Sequence, residues 1–169
     1  MREFVIMTDS DTEIPYTFAE AHQVPVFLMP YTLNGEESLF DLGKTTDYTG
    51  FYHSLREGAN ASTSTRSTYE IQCFYEDILK TGKDILYVCF SSQLSAHHDL
   101  AQLARKAALE NYPEARIEIF DSLGIAMGAG LLVYHAVRLK EEGKSMEEIL
   151  QWLQENRMRS LHFFSVDSL

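Results

Sequence analysis

The sequence predicts an α/β fold, a mainly parallel sheet with helices on both faces. Short apolar runs of strand length alternate with longer helical patterns, which implies βαβ units. Residues 85–90, Ile-Leu-Tyr-Val-Cys-Phe, form an unbroken apolar run, as a central strand covered on both faces must. A length of 169 residues without internal repeat or low-complexity tract fits one domain.

Phe4 to Met7 is a first strand, stopped at Thr8-Asp9-Ser10-Asp11. Pro15 to Ala21 is a short helix, with proline suited to its first turn. Val24 to Met29 is a second apolar run. Asn34-Gly35, between Tyr31-Thr32-Leu33 and Ser38-Leu39-Phe40, signals a hairpin. Thr46 can cap a helix over Asp47 to Arg56. Ser67, with Glu70 three residues on, matches a capping box for a helix to about Lys80. After the central strand, Ser95 to about Glu110 is helical, with an apolar stripe of Leu100, Leu103, Ala107 and Leu109. Arg116 to Phe120 is a strand ending at Asp121-Ser122. Gly124 to Glu142 is a long apolar helix. Ser145 caps another helix to about Arg157, with Glu148 at the box position. Leu161 to Val166 reads as a last short strand.

A hydrophobic share of 45% excludes a disordered chain. Lys plus Arg is 14 and Asp plus Glu is 25, a net charge of −11. That excess argues against nucleic acid and anionic membrane surfaces as partners, since both are met by basic patches. Cys73 and Cys89 are in no C-x-x-C pair and read as small core residues. No run reaches the ~18 apolar residues of a membrane span, and the N-terminus turns polar too soon for a signal peptide. A cytoplasmic setting, without stable membrane insertion, is the expectation.

In a parallel sheet the strand-to-helix loops gather at the carboxyl edge, where ligands bind. The loops concerned are Thr8 to Thr12, Ser91 to His97 and Asp121 to Gly124, all rich in hydroxyls and small residues. Thr8-Asp9-Ser10-Asp11 suits a turn and cap cluster, or a ligand site. Ser62-Thr63-Ser64-Thr65-Arg66-Ser67-Thr68 is a dense set of hydroxyls opening a helix, where free N–H groups and the dipole favour an anion. Ser91-Ser92-Gln93-Leu94-Ser95-Ala96-His97-His98 joins the central strand to another helix. His97 and His98 point about 100° apart and lack the i, i+4 spacing of helical zinc pairs. They read as surface or pocket-edge residues, and no metal site is expected. The glycines between Gly124 and Gly130 form no phosphate loop and suit close helix packing. Two hydroxyl-rich loops, around Thr63 and Ser95, thus border a sheet edge poor in positive charge. Neutral donors suit a carboxylate, whose hydrogen bonds are charge-assisted.

At these residues the chain resembles the DegV family of bacterial fatty-acid-binding proteins. The likeness runs in order through Thr8-Asp9-Ser10, Ile14-Pro15, Val24-Pro25, Asp41, Thr63-Ser64, Ser91-Ser92-Gln93-Leu94-Ser95, and Asp121-Ser122 with Gly128 and Gly130. It departs at Thr65-Arg66, where the family has Gln-Pro, and at Ala96-His97, where it has Gly-Thr. The resemblance implies a fatty-acid carrier. Thr63 and Ser95 would bind the carboxylate, with Ser64 and the amides of the following helix in support. Ile125, Met127 and Leu131 would line the tail path. A separate ATP-dependent fatty acid kinase would receive the presented acid, so the chain needs no cofactor or metal of its own. The resemblance also makes residues 1–160 an N-terminal domain and 161–169 the start of a connector to a C-terminal domain absent from this chain. Two alternatives stay open: a small hydrolase or phosphotransferase using Ser95, His97 and Asp9, and a fragment that binds nothing without its covering domain.

Overall fold

The structure, a computed structural model, describes residues 2–163. Four parallel strands form the main sheet: β1 (Phe4–Asp9), β2 (Val26–Phe27), β6 (Asp84–Cys89) and β7 (Ile117–Asp121), in the order β2-β1-β6-β7. β1 pairs with β6 through Ile6↔Leu86 and Thr8↔Val88. The α/β architecture with a parallel sheet is as the sequence predicts.

Strand periodicity sorts the core into two layers. Val5, Met7, Ile85, Tyr87 and Cys89 face α3 (Thr68–Leu79) and α4 (His97–Asn111). Ile6, Leu86 and Val88 face α5 (Ala126–Glu141) and α6 (Met146–Asn156), beside the short α1 (Tyr16–Ala21). β6 is buried along its whole length, as its unbroken apolar run requires.

Local signals fell where the sequence placed them. Ser67 and Ser145 form complete capping boxes with Glu70 and Glu148. Asn34 (φ 52°) and Gly35 (φ 86°) make the two-residue turn between β3 (Pro30–Leu33) and β4 (Glu36–Leu39), since a hairpin of this kind needs two left-handed residues. α2 (Tyr48–Arg56) is capped by Asp47 rather than Thr46; the Asp47 carboxylate accepts the Gly50 N–H at 2.9 Å.

Several expectations are corrected. Ala61–Thr63, read as loop, is a strand, β5, which pairs antiparallel with β3 through Tyr31↔Thr63 and makes a second sheet of order β4-β3-β5. α4 turns Ala101, Ala104 and Ala108 to the core, leaving Leu103 at 53% exposure. Small residues let α4 lie close to the sheet and α3, so the alanines make its buried face, while Leu100 and Leu109 of the predicted stripe pack at the edge of the core. Residues 161–163 are not a strand, and the rest of the expected Leu161–Val166 strand lies outside the described residues. Among the described residues, no helix is long and apolar enough to cross a membrane.

Candidate functional site

The sheet order reverses direction at β1 and β6, so their carboxyl ends open the crevice where ligands of such sheets bind. Asp9 ties the loops around it together. Its Oδ1 accepts the Asp11 N–H at 3.1 Å, capping the single 3-10 turn Ser10–Thr12. Its Oδ2 accepts the Phe90 N–H at 3.0 Å and the Tyr87 hydroxyl at 2.7 Å. Ser10 Oγ accepts the Met29 N–H at 2.9 Å, and Thr8 Oγ1 donates to the Val88 carbonyl at 2.9 Å. The Thr8-Asp9-Ser10-Asp11 cluster is thus consumed largely in holding the crevice open at a fixed shape.

His97 departs from expectation: it is fully buried. Its Nε2 lies 2.7 Å from the Tyr87 hydroxyl, and its ring stacks on Phe27 with centroids 5.8 Å apart. Its burial follows from its place on α4, one turn before Ala101 on the face that meets the sheet. Ligand atoms of Asp9, Cys89 and His97 all lie within 4.8 Å of one another. Tyr87 bridges Asp9 and His97, so these groups are joined by hydrogen bonds. Burial, reinforced by the neighbouring Asp11, pushes the Asp9 carboxyl up to about 7. Burial, then the neighbouring His98, pushes the His97 imidazole down to about 4. Both shifts favour neutral forms in a site with no compensating charge.

Above this hub lies a cleft of about 500 Å³, with Thr63, Ser64 and Thr65 on one wall and Phe90, Leu94 and Ser95 on another. The three residues predicted to bind a carboxylate therefore share one cavity, although β5 and the β6–α4 loop are far apart in sequence. Ser95 Oγ accepts the His97 N–H at 3.1 Å, while Ala96 at the N-cap supplies no side-chain bond. The first-turn N–H groups beyond His97 thus retain donor capacity near the cleft. The α3 end differs. Its first turn is closed by the Ser67–Glu70 capping box, which holds the Glu70 carboxyl down at about 2, with Arg66 bound to the same carboxylate. The amides of that helix, expected together with Ser64 to support Thr63 and Ser95, start at Ser67, whose N–H already bonds the Glu70 carboxylate.

Asp11 and Glu13 also line the cleft. Burial, and then Glu13, push the Asp11 carboxyl up to about 6. The sequence read only a shortage of lysine and arginine here; the two carboxylates became visible as cleft walls once the Ser10–Thr12 turn was placed. Leu94 and Ile125 are shared with a second cavity of about 560 Å³, lined also by Met127, Leu161 and Phe163. Of the expected tail-lining residues, Ile125 and Met127 lie on this shelf, 42% and 53% exposed. Leu131 is exposed farther along α5 and does not line it. Gly128 makes room for the His162 ring, and Gly130 for close packing on the Thr12 carbonyl, so these glycines serve packing.

Asp121 closes the third loop, accepting the Ser92 N–H at 3.1 Å and the Ser92 hydroxyl at 2.6 Å. Among the described residues, the Ser95 hydroxyl bonds the His97 backbone amide rather than its ring, and the His97 ring meets Tyr87, with Nδ1 buried and unpartnered.

The family model "Uncharacterised protein, DegV family" matches residues 3–169. A DegV domain-containing protein of Clostridium perfringens is 36% identical over 169 residues, covering 100% of this chain and 58% of that protein. Among solved structures, a fatty-acid-binding DegV family protein from Thermus thermophilus superposes with a TM-score of 0.80 at 27% identity, covering 94% of this chain and 54% of the other. A stearic acid-binding protein from Eubacterium ventriosum shares the fold, with a TM-score of 0.81 at 22% identity, over 89% of this chain and 52% of the other. The chain therefore spans just over half the length of these proteins. A match along essentially its whole length, a relative at this identity and a common fold together place the chain in the DegV family.

Proposed function

We propose that this chain binds a long-chain fatty acid. Thr63 and Ser95 hold the carboxylate, Ser64 supports them, and the acyl chain runs from the cleft onto the Leu94–Ile125–Met127 shelf. The single observation that carries this reading is the shared cavity: Thr63, Ser64 and Ser95 stand on its walls with Thr65, and it continues into an apolar one. The fatty-acid-binding relative from Thermus thermophilus supports it. The binding role is that of a carrier. The carboxyl end lies at the open edge of the sheet, where a separate ATP-dependent fatty acid kinase could take it up. The further length of the relatives, beyond the part this chain matches, is where a second domain covering the shelf would be found.

The energetics divide between the two ends. A tail of about fifteen methylenes, at about 0.8 kcal/mol each, contributes roughly 12 kcal/mol before ordering costs. Each hydrogen bond to the carboxylate adds about 1.5–3 kcal/mol. The tail sets affinity and the hydroxyls set orientation. The test is to denature the intact protein as purified and extract it for mass spectrometry. A long-chain acid near one per chain is expected. An acid-free extract, with no heat of binding for added long-chain acid, overturns the proposal.

The acidic wall adds a pH dependence. Ionised Asp11 repels the bound carboxylate, whereas protonated Asp11 donates to it. As pH falls from 7.5 through about 6, Asp11 takes up its proton and binding tightens. Calorimetric titrations across that range should show the tightening in the native protein and lose most of it in Asp11→Asn.

A further inference from the structure

Beside Thr63 the cleft opens into a smaller cavity of about 260 Å³, which shares Asp11, Glu13 and Phe40 with it and adds further aromatic walls. Tyr31 from β3, Phe51 and Tyr52 from α2, and Phe40 and Tyr48 beside them supply aromatic surface. These rings meet at steep angles. Tyr31 and Phe51 cross at 88°, Phe51 and Tyr52 at 84°, and Phe40 and Tyr48 at 73°. The rings thus pack edge to face around the space. Asp11 and Glu13 complete the wall. Glu13 sits in the left-handed region at φ 52°, a conformation unfavourable for a residue with a side chain, at the end of the Ser10–Thr12 turn.

None of the residues lining this cavity is a lysine or arginine. Lys44, the nearest lysine in sequence to α2, is bound by Glu20. Asp41 is saturated by the Thr45 and Thr46 amides and hydroxyls, and so is no part of the negative wall. Aromatic faces and carboxylates attract the same kind of guest, a desolvated organic cation. Asp11 and Glu13 border the cleft as well, but Tyr31, Tyr48, Phe51 and Tyr52 line this cavity and not the cleft, and it is their presence beside the carboxylates that favours a cation here.

We propose that the aromatic cavity beside Thr63 receives the cationic side chain, lysine or arginine, of a partner protein. Charge complementarity selects the cation. The open mouth selects a tethered one: Tyr48 and Tyr52 are 46% and 55% exposed, so a free small cation would remain half in water and bind weakly. A side chain delivered by a docked surface needs little affinity of its own, because the rest of that surface holds it in place. The occupant would stand next to Thr63, on the side of the cleft away from the apolar shelf.

The test uses the intact protein and two probes of one shape, N-acetylarginine amide and N-acetylcitrulline amide, followed by the aromatic NMR signals of Tyr48, Phe51 and Tyr52. Saturable shifts at millimolar arginine probe are expected, with at least threefold weaker response to the neutral citrulline probe. Glu13→Gln and Tyr52→Ala, both at exposed positions, should each weaken the arginine response at least threefold with unchanged circular dichroism. Equal responses to both probes, no saturable shift, or wild-type titrations in both variants would overturn the proposal. Saturation by tetramethylammonium at micromolar concentration would overturn it in favour of a free cationic metabolite.

Discussion

Replacing Thr63 and Ser95 together with alanine should weaken long-chain fatty-acid binding by about two to four orders of magnitude. The estimate follows from losing two charge-assisted hydrogen bonds at about 1.5–3 kcal/mol each, with about 1.4 kcal/mol per factor of ten. The fold should tolerate both changes. Thr63 is exposed at the end of β5, and its backbone pairing with Tyr31 does not involve its side chain. Ser95 is half-buried, and losing its hydroxyl removes the acceptor for the His97 N–H, a cap-like bond worth about 1 kcal/mol. Isothermal titration with a long-chain acid measures the loss. A long-chain alcohol of equal length is the control, because it keeps the tail and lacks the carboxylate. Its affinity should change little. If the acid binds the double variant as tightly as the native protein, the carboxylate is held elsewhere.

That the Ser91–His97 loop lies at the site was legible from topology, whereas Thr63 comes to it through the pairing of β5 with β3 in the second sheet. Once strands and helices alternate, the handedness of the crossover sends every strand-to-helix loop to one edge, whatever the details. The same locality made the capping boxes at Ser67 and Ser145 and the Asn34-Gly35 turn readable, since each signal and its structural consequence lie within a few residues. Apart from the α2 cap, which falls one residue on at Asp47, the failures are long-range. Ala61–Thr63 carries no alternation of its own, being exposed throughout, and is a strand only because Tyr31 to Leu33 pairs with it. His97 looked like half of a surface pair; its burial depends on Tyr87 and Asp9, which reach it from two other strands. Likewise, the alanines of α4 outrank its leucines as core residues because the helix sits close to its neighbours, a distance that no periodicity encodes. The acidic side of the cleft was missed for the same reason. Asp11 reads as turn chemistry in sequence, and becomes a wall only when Thr63 and Phe90 are brought opposite.

The Asp9 hub gives the second large effect: Asp9→Asn should flatten the fall in stability that the native protein undergoes between pH 5 and 8. The sign follows from linkage. In the unfolded chain this carboxyl ionises near its ordinary value of 3.8, whereas burial in the native state raises it to about 7. Between those values the native state holds a proton that the unfolded state has released. Stability is therefore at its full value below the unfolded pKa and declines as pH rises to about 7, by about 1.4 kcal/mol per pH unit for one such group. Over the two units from pH 5 to 7 that is on the order of 3 kcal/mol, a large fraction of the stability of an ordinary domain. Asp11, raised to about 6, adds a smaller decline of the same sign and should persist in the variant. Carboxyls held low, such as Glu70 at about 2, act in the opposite direction, but only under more acid conditions than this window. With its oxygen at the Oδ2 position, asparagine still accepts the Phe90 N–H and the Tyr87 hydroxyl, while its NH2 group leaves the Asp11 N–H without an acceptor, so the variant is less stable throughout but has no charge to bury, and the slope with pH is the readout. Urea unfolding at half-unit steps from pH 5 to 8 should give a falling curve for the native protein and a much flatter one for the variant, the two diverging most at pH 8. Parallel curves would mean that Asp9 is ionised in the folded protein at every pH tested, and that the bonds from Tyr87, Phe90 and Asp11 outweigh its burial.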